Sequence, residues 1–310
     1  MHLQQLVGNV YCLPGASNVG LVMGEARQAF LIDTGVGQRS GRQILRILEE
    51  QGLALAAILN THGHGDHVGG NAYLVANTGA RIYAPVHDSV VLQNPLWGTM
   101  CMFSGADPLD ELRAPRFAAE PCRADFVVAE EPLQVAGVSV EPVPLPGHTA
   151  SHTGYIVNDV FFTGDILAGE EELEKTVISY AYSVGRRLES LDKLKGYECA
   201  RYVLGHGTVH DDIHELIERN VAQVQNVLEC IKAYLTKGDA ETSRIFEVVC
   251  SHCGLQVRNV REYYLLYPTL HAFLSHLSNS GQITPAVKDN RLVWSAKGNG
   301  GACAPTRACG

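Results

Sequence analysis

The sequence predicts an α/β chain: an αββα sandwich of two related halves, followed by a C-terminal helical and winged-helix-like extension. Three observations carry this. Short alternating β-type runs and helical periods recur twice in a similar order. Each of the two sets ends in a histidine-bearing loop. From about Asp211 the pattern changes to long helical periods closed by a β-hairpin. The domains expected are 1–210 for the sandwich, 211–296 for the extension and 297–310 for a flexible tail.

The first half opens with QLVGNVYCL, NVGLVMG and ARQAFLIDTG, short strands separated by Gly and Pro. RSGRQILRILEEQG follows with Ile44, Leu45, Ile47 and Leu48 on one helical face. A buried strand, LALAAILN, runs into THGHGDH, then into a small-residue helix at NAYLVANTG and a strand at RIYAP. In the second half VSVEPVPLP, TGYIVN and VFFTGD read as strands, GRRLESLDKLKG as a helix, and ARYVLGHG as a strand ending in histidine. This order fits a sandwich better than a parallel doubly wound sheet.

Residues 86–124, between the halves, are irregular and carry Leu96, Trp97, Met100, Met102 and Phe103. Two readings stand: an insertion that covers the core, or an apolar wall over a substrate site. Beyond Asp211, DDIHELIERNVAQVQNVLECIKAYLTKG is a long amphipathic helix stopped by Gly238. TSRIFEVVCSHCGL, VREYYLLYP and PTLHAFLSHLSNSG read as three short helices, and ITPAVKDNRLVWSA as a hairpin turning at Lys288, Asp289 and Asn290. KGNGGACAPTRACG has no apolar period and reads as a disordered tail.

Composition narrows the function. At 310 residues and 46% hydrophobic content the chain can bury a substantial core. No apolar run approaches the roughly 18 residues of a membrane span. The start, MHLQQLVGNVYCLPG, lacks the basic-then-apolar order of a signal peptide. Nine scattered cysteines, an odd number, argue against a secreted disulfide framework. A cytoplasmic protein without membrane association is expected. A net charge of −9 disfavours general nucleic-acid binding.

The chemistry concentrates at THGHGDH. His62, His64 and Asp66 alternate, so an extended or tightly looped backbone points them one way, while the adjacent His67 points elsewhere and can serve a second ion. A solvated histidine-rich loop is the plainer alternative, but the H-x-H-x-D-H spacing is specific for metal. Four ligands cannot complete two sites, so partners are expected downstream. His148 in PGHT, Asp165 in FTGD and His206 in GHG each follow a strand-like run beside a glycine.

This set, THGHGDH, PGHT, FTGD and GHG with LIDTG upstream, resembles the metallo-β-lactamase fold superfamily over roughly residues 5–235. The resemblance implies that His62, His64 and His148 hold one metal, that Asp66, His67 and His206 hold another, and that Asp165 bridges them. It implies that Asp33 supports the metal loops from behind, although a turn or capping role in DTG would also place an aspartate there. Two divalent ions are implied. Ligand type favours zinc, and the same N/O set accepts iron or manganese. Ions about 3.5–4 Å apart would share a hydroxide that attacks a carbonyl or phosphoryl centre. Asp66 could also orient the nucleophile. Tyr180 or Tyr182, in ISYAYSVG, could donate to the oxyanion or leaving group, against an ordinary packing role for tyrosines at alternate positions of a strand-like segment.

Four activities are weighed. Hydrolysis of an ester, thioester or lactone, with a small-molecule substrate, fits the full ligand set and the apolar insertion. The C-terminal region lacks the Arg/Lys density that would grip glutathione's carboxylates, which puts a specific glyoxalase II assignment in doubt. A ribonuclease or phosphodiesterase fits the winged-helix pattern, but TLHAFLSHLSNSG contains no lysine or arginine. The extension therefore reads as a packing, dimerisation or pocket-closing module, and a homodimer is compatible with it. A mononuclear-iron persulfide dioxygenase would leave Asp66, His67 and His206 unused, and a DNA-binding sensor conflicts with the acidic charge. Cys250 and Cys253 form a lone C-x-x-C without a confirming partner, and Cys303 and Cys309 lie in the tail. His210 and His214 read as surface histidines, and His152, close to His148, could support a ligand from behind but is left unassigned.

Overall fold

The structure, a computed structural model, describes residues 2–175 and 178–297. Among them the first half forms one mixed sheet in sequence order: β1 (Gln4–Val7), β2 (Val10–Leu13), β3 (Val19–Met23), β4 (Gln28–Ile32), β5 (Ala54–Leu59), β6 (Arg81–Ala84) and β7 (Phe126–Val127). Strands β1 to β4 pair antiparallel and β4 to β7 parallel. The second sheet comprises β8 (Leu133–Val135), β9 (Val138–Pro144), β10 (Thr153–Val157), β11 (Val160–Gly164), β12 (Arg201–Leu204) and β13 (Val209–His210). Helices α1 (Gly37–Gln51), α2 (Gly65–Val68) and α3 (Asn71–Thr78) belong to the first half. The insertion folds as α4 (Val86–Gln93) and α5 (Leu96–Met102), and α6 (Glu170–Lys175) and α7 (Val184–Leu194) belong to the second half.

Period-two alternation along the strands divides the core into layers. In β4, Phe30 and Ile32 face the second sheet, while Ala29 and Leu31 face Ile44 and Leu48 of α1. In β12, Val203 points between the sheets, and Tyr202 and Leu204 point toward Leu191 and Leu194 of α7. Both sheets thus bury both faces, which produces the αββα sandwich expected from the sequence. Gly20 marks the closest approach of the sheets: a Cβ there would stand 2.6 Å from the Phe162 ring.

The extension consists of α8 (His214–Leu235), α9 (Thr242–His252), α10 (Val260–Asn279) and a sheet of β14 (Ala240–Glu241), β16 (Arg291–Ala296) and β15 (Ile283–Lys288), in that order. The sequence suggested a helix break at Pro268, but α10 runs through it as one helix. A mid-helix proline costs about 3 kcal/mol. Here Leu270, Phe273, Leu274 and Leu277 beyond it, and the half-buried Tyr263, Leu266 and Tyr267 before it, all join the core that α8 and α9 form. That shared apolar face outweighs the penalty. Among the described residues no helix is long and apolar enough to cross a membrane. The expected tail beyond Lys297, with Cys303 and Cys309, lies outside the described residues.

Candidate metal centre

Each proposed ligand stands at or just past the C-terminal end of a strand. His62 follows β5, His64 and the α2 residues Asp66 and His67 come next in the same loop, His148 follows β9, Asp165 follows β11, and His206 follows β12. Registry between the sheets brings these ends to one edge of the sandwich. The hydroxyl of Tyr155, fully buried in β10, donates to the Asn60 carbonyl at 2.8 Å and ties the second sheet to the His62 loop.

Three groups of donor atoms result, each within 4.8 Å: His62, His64, His148 and Asp165; Asp66, His67 and His206; and, behind them, Asp33, His62 and His67. Asp165 lies between the first two: Oδ1 is 3.2 Å from His67 Nε2, and Oδ2 is 3.4 Å from His206 Nε2 and 3.5 Å from His148 Nε2. Asp66 Oδ2 is 3.8 Å from His206 Nε2. All seven sequence-predicted ligands therefore converge.

Hydrogen bonds behind the imidazoles decide which nitrogen faces the centre. Asp33 Oδ2 accepts from His67 Nδ1 at 2.9 Å, and the Ala16 carbonyl accepts from His206 Nδ1 at 2.6 Å. Thr61 donates its hydroxyl to Asp33 at 2.7 Å, so its oxygen accepts from His62 Nδ1 at 2.9 Å. The three Nε2 atoms consequently point inward. His62 Nε2 is buried without any hydrogen-bond partner among the described residues. Inward imidazole nitrogens flanked by two carboxylates are a donor set that fits divalent cations, which bind them once deprotonated.

Asp33 lies with its oxygens on Thr61 and His67 rather than in the centre, at a left-handed φ of 59° that aspartate tolerates better than most residues.

Charge at the site follows the same geometry. Burial opposes ionisation of Asp165, but the facing His67 and His206 imidazoles outweigh it and hold the carboxyl well below its usual range. Asp165 in turn lifts the His206 imidazole to about 9. Burial keeps His62 and His148 well below the ordinary imidazole value, in the neutral form that ligates metal. Gly205 is obligatory beside Asp165: a Cβ there would lie 1.8 Å from Asp165 Oδ1 and 2.9 Å from His67 Cε1.

Three further residues support the site; Asp88 and Arg187 carried no local signal in the sequence, and His152 only its nearness to His148. Asp88, from the insertion, accepts from Gly63 N at 2.9 Å, Thr149 Oγ1 at 3.1 Å and Ser151 Oγ at 2.6 Å, bracing both the His64 and the His148 loops. His152 accepts from the Asp165 backbone N–H at 3.1 Å through Nε2, so it positions Asp165 and offers no lone pair to an ion. Burial pushes this imidazole down to about 3. Arg187, fully buried, donates to the Tyr180 carbonyl at 2.9 Å and to Asn220 Oδ1 at 3.3 Å, joining the site to α8.

The centre floors a cavity of about 950 Å³. Tyr180 lines it, with its ring edge-on to His64 and His148 at 5.3 and 5.4 Å. Tyr182 reaches the same cavity but is 57% exposed at its mouth, so the two tyrosines occupy different places. Their segment is irregular rather than a strand. Cys250 and Cys253 lie buried in the core of the extension and belong to no metal-ligand group among the described residues.

The family model of the metallo-beta-lactamase superfamily matches residues 12–206, from β2 to the candidate ligand His206. The chain belongs to the metallo-beta-lactamase superfamily. With its converging donor cluster it is a metal-dependent hydrolase of that fold. A metallo-beta-lactamase family protein from Thermus thermophilus superposes with a TM-score of 0.74 at 22% identity, covering 94% of this chain and 100% of that one. A beta-lactamase domain protein from Burkholderia ambifaria gives 0.77 at 16% identity, over 95% and 94%. The shared architecture therefore includes the extension. Among curated relatives, an atrochrysone carboxyl ACP thioesterase of Passalora fulva is 22% identical over 88% of this chain and 74% of its own length. A hydroxyacylglutathione hydrolase of Dechloromonas aromatica is 32% identical over 46% and 41%.

Proposed function

We propose that this superfamily member uses two divalent ions to hydrolyse an ester, thioester or lactone carbonyl, and that thioesters are its preferred class. The observation that carries the reading is the pair of donor groups with Asp165 within 3.4 Å of His67 and His206 as well as in the first group, at the floor of a largely apolar cavity. His62, His64 and His148 would hold one ion and Asp66, His67 and His206 the other, with zinc the best match to the donors. When bound, such ions supply Lewis acidity that polarises a carbonyl and lowers the pKa of a water.

The chain's own residues supply the remainder. Asp33, through His67, and Thr61, through His62, fix the imidazole tautomers before substrate arrives. Asp66 accepts a hydrogen bond from the attacking water and orients it. Burial pushes the Tyr180 phenol up to about 12, so it keeps its proton at neutral pH and donates to the oxygen on which charge develops. Tyr182 contacts the substrate at the mouth. The similarity to a thioesterase and to a hydroxyacylglutathione hydrolase, both named for thioester cleavage, supports the preference. Glu170, Glu171 and Glu172 border the cavity and disfavour a polyanionic strand.

The test couples metal analysis to a panel of thioesters, lactones, phosphodiesters, persulfides and single-stranded RNA. Thioester cleavage abolished in His64→Ala and Asp165→Ala, with loss of bound metal, is the expected result. Unchanged metal content and activity in both variants would refute the assignment. One iron per chain with oxygen uptake on a persulfide would replace it.

A further inference from the structure

The two half-buried leucines Leu265 and Leu266 of α10 lie about sixty residues past the last ligand, yet they line the cavity above the metal centre. Met102 of α5 lines it as well. The two elements meet directly: the Phe103 ring packs edge-on to Tyr264 with centroids 4.9 Å apart. Because α10 continues through Pro268, the leucines are rigidly joined to Leu270, Phe273, Leu274 and Leu277 in the core of the extension. The wall is therefore fixed in place by packing remote from the site.

We propose that Leu265, Leu266 and Met102 bind the acyl portion of the substrate and determine which acyl groups are cleaved. This deepens the carbonyl-hydrolysis reading and rests on it. A carrier-type thiol such as pantetheine is uncharged and amide-rich, so the apolar wall suits the acyl side of the thioester, while Thr208 and the polar Glu170–Glu172 border suit the thiol side. A volume of about 950 Å³ is near the top of the ~300–1,000 Å³ range of small-molecule pockets, which points to a bulky or ring-bearing acyl group. The extension then serves as a specificity wall.

The experiment compares kcat/KM of the metal-loaded full chain on acetyl, octanoyl and 2-naphthoyl thioesters of N-acetylcysteamine. Wild type should prefer the naphthoyl ester. Leu265→Trp and Met102→Trp should each lower the naphthoyl-to-acetyl ratio by about tenfold or more. A folding defect lowers all three substrates together and leaves the ratio unchanged, and Met102→Leu should restore the wild-type ratio. A wild type that prefers acetyl, or Trp variants with an unchanged ratio, would overturn the proposal. Binding of 2-naphthamide, followed by its fluorescence, separates the two claims. If wild type cleaves no thioester, the hydrolytic reading fails, and the wall is then judged on naphthamide alone. Binding that Leu265→Trp abolishes supports it, and binding unaffected by that change, or none at all, refutes it.

Discussion

His67 Nδ1 lies 2.9 Å from Asp33 Oδ2, and this contact turns the other nitrogen of His67 toward Asp165. Asp33→Asn keeps a residue that tolerates the left-handed backbone but removes the charge and turns one of the two acceptor oxygens, which serve Thr61 and His67, into a donor. Metal affinity should fall by about 10–100-fold, measured by chelator competition, with the circular dichroism spectrum unchanged. Wild-type affinity in this variant would show that Asp33 acts only as a turn residue.

Gly205→Ala places a methyl group where Asp165 Oδ1 stands. Backbone on that strand end cannot move freely, since Gly205 N donates to the Gly164 carbonyl at 3.0 Å and its own carbonyl accepts from Asn18 N at 2.7 Å. The displaced carboxylate should cost the protein bound metal and about 1–3 kcal/mol of stability. Metal content by mass spectrometry and a urea titration check both. Full metal loading at wild-type stability would contradict the geometry.

Arg187→Met should lower stability by about 2–3 kcal/mol, because the Tyr180 carbonyl loses a charged donor in a buried setting. The urea midpoint should fall with the slope unchanged. Arg187→Lys should recover little of the loss, since one ammonium cannot reproduce two divergent N–H contacts. Full recovery by lysine would mean that charge alone matters there.

The sandwich and the seven candidate ligands were legible because their signals are local. H-x-H-x-D-H places four donors on one short loop, and His148, Asp165 and His206 each follow an apolar strand beside a glycine. Asp88 was not legible, since a single carboxylate after RIYAP has no pattern, and its three donors come from residues 63, 149 and 151. Arg187 has no pattern in the sequence to mark it, since its burial comes from the Gly147 loop, the Tyr180 segment and Asn220 of α8 together. Pro268 signalled a break by a correct local rule that tertiary burial overrode. The place of Leu265 and Leu266 depends on that same continuous helix, so it too was invisible.

The central claim is a two-ion centre that cleaves a carbonyl, and titrating metal-free protein with zinc while following thioester hydrolysis tests it most directly. The account predicts that activity rises until two equivalents per chain are bound, and that His206→Ala saturates at one equivalent with little activity. Full activity at one equivalent, unchanged by His206→Ala, would contradict it.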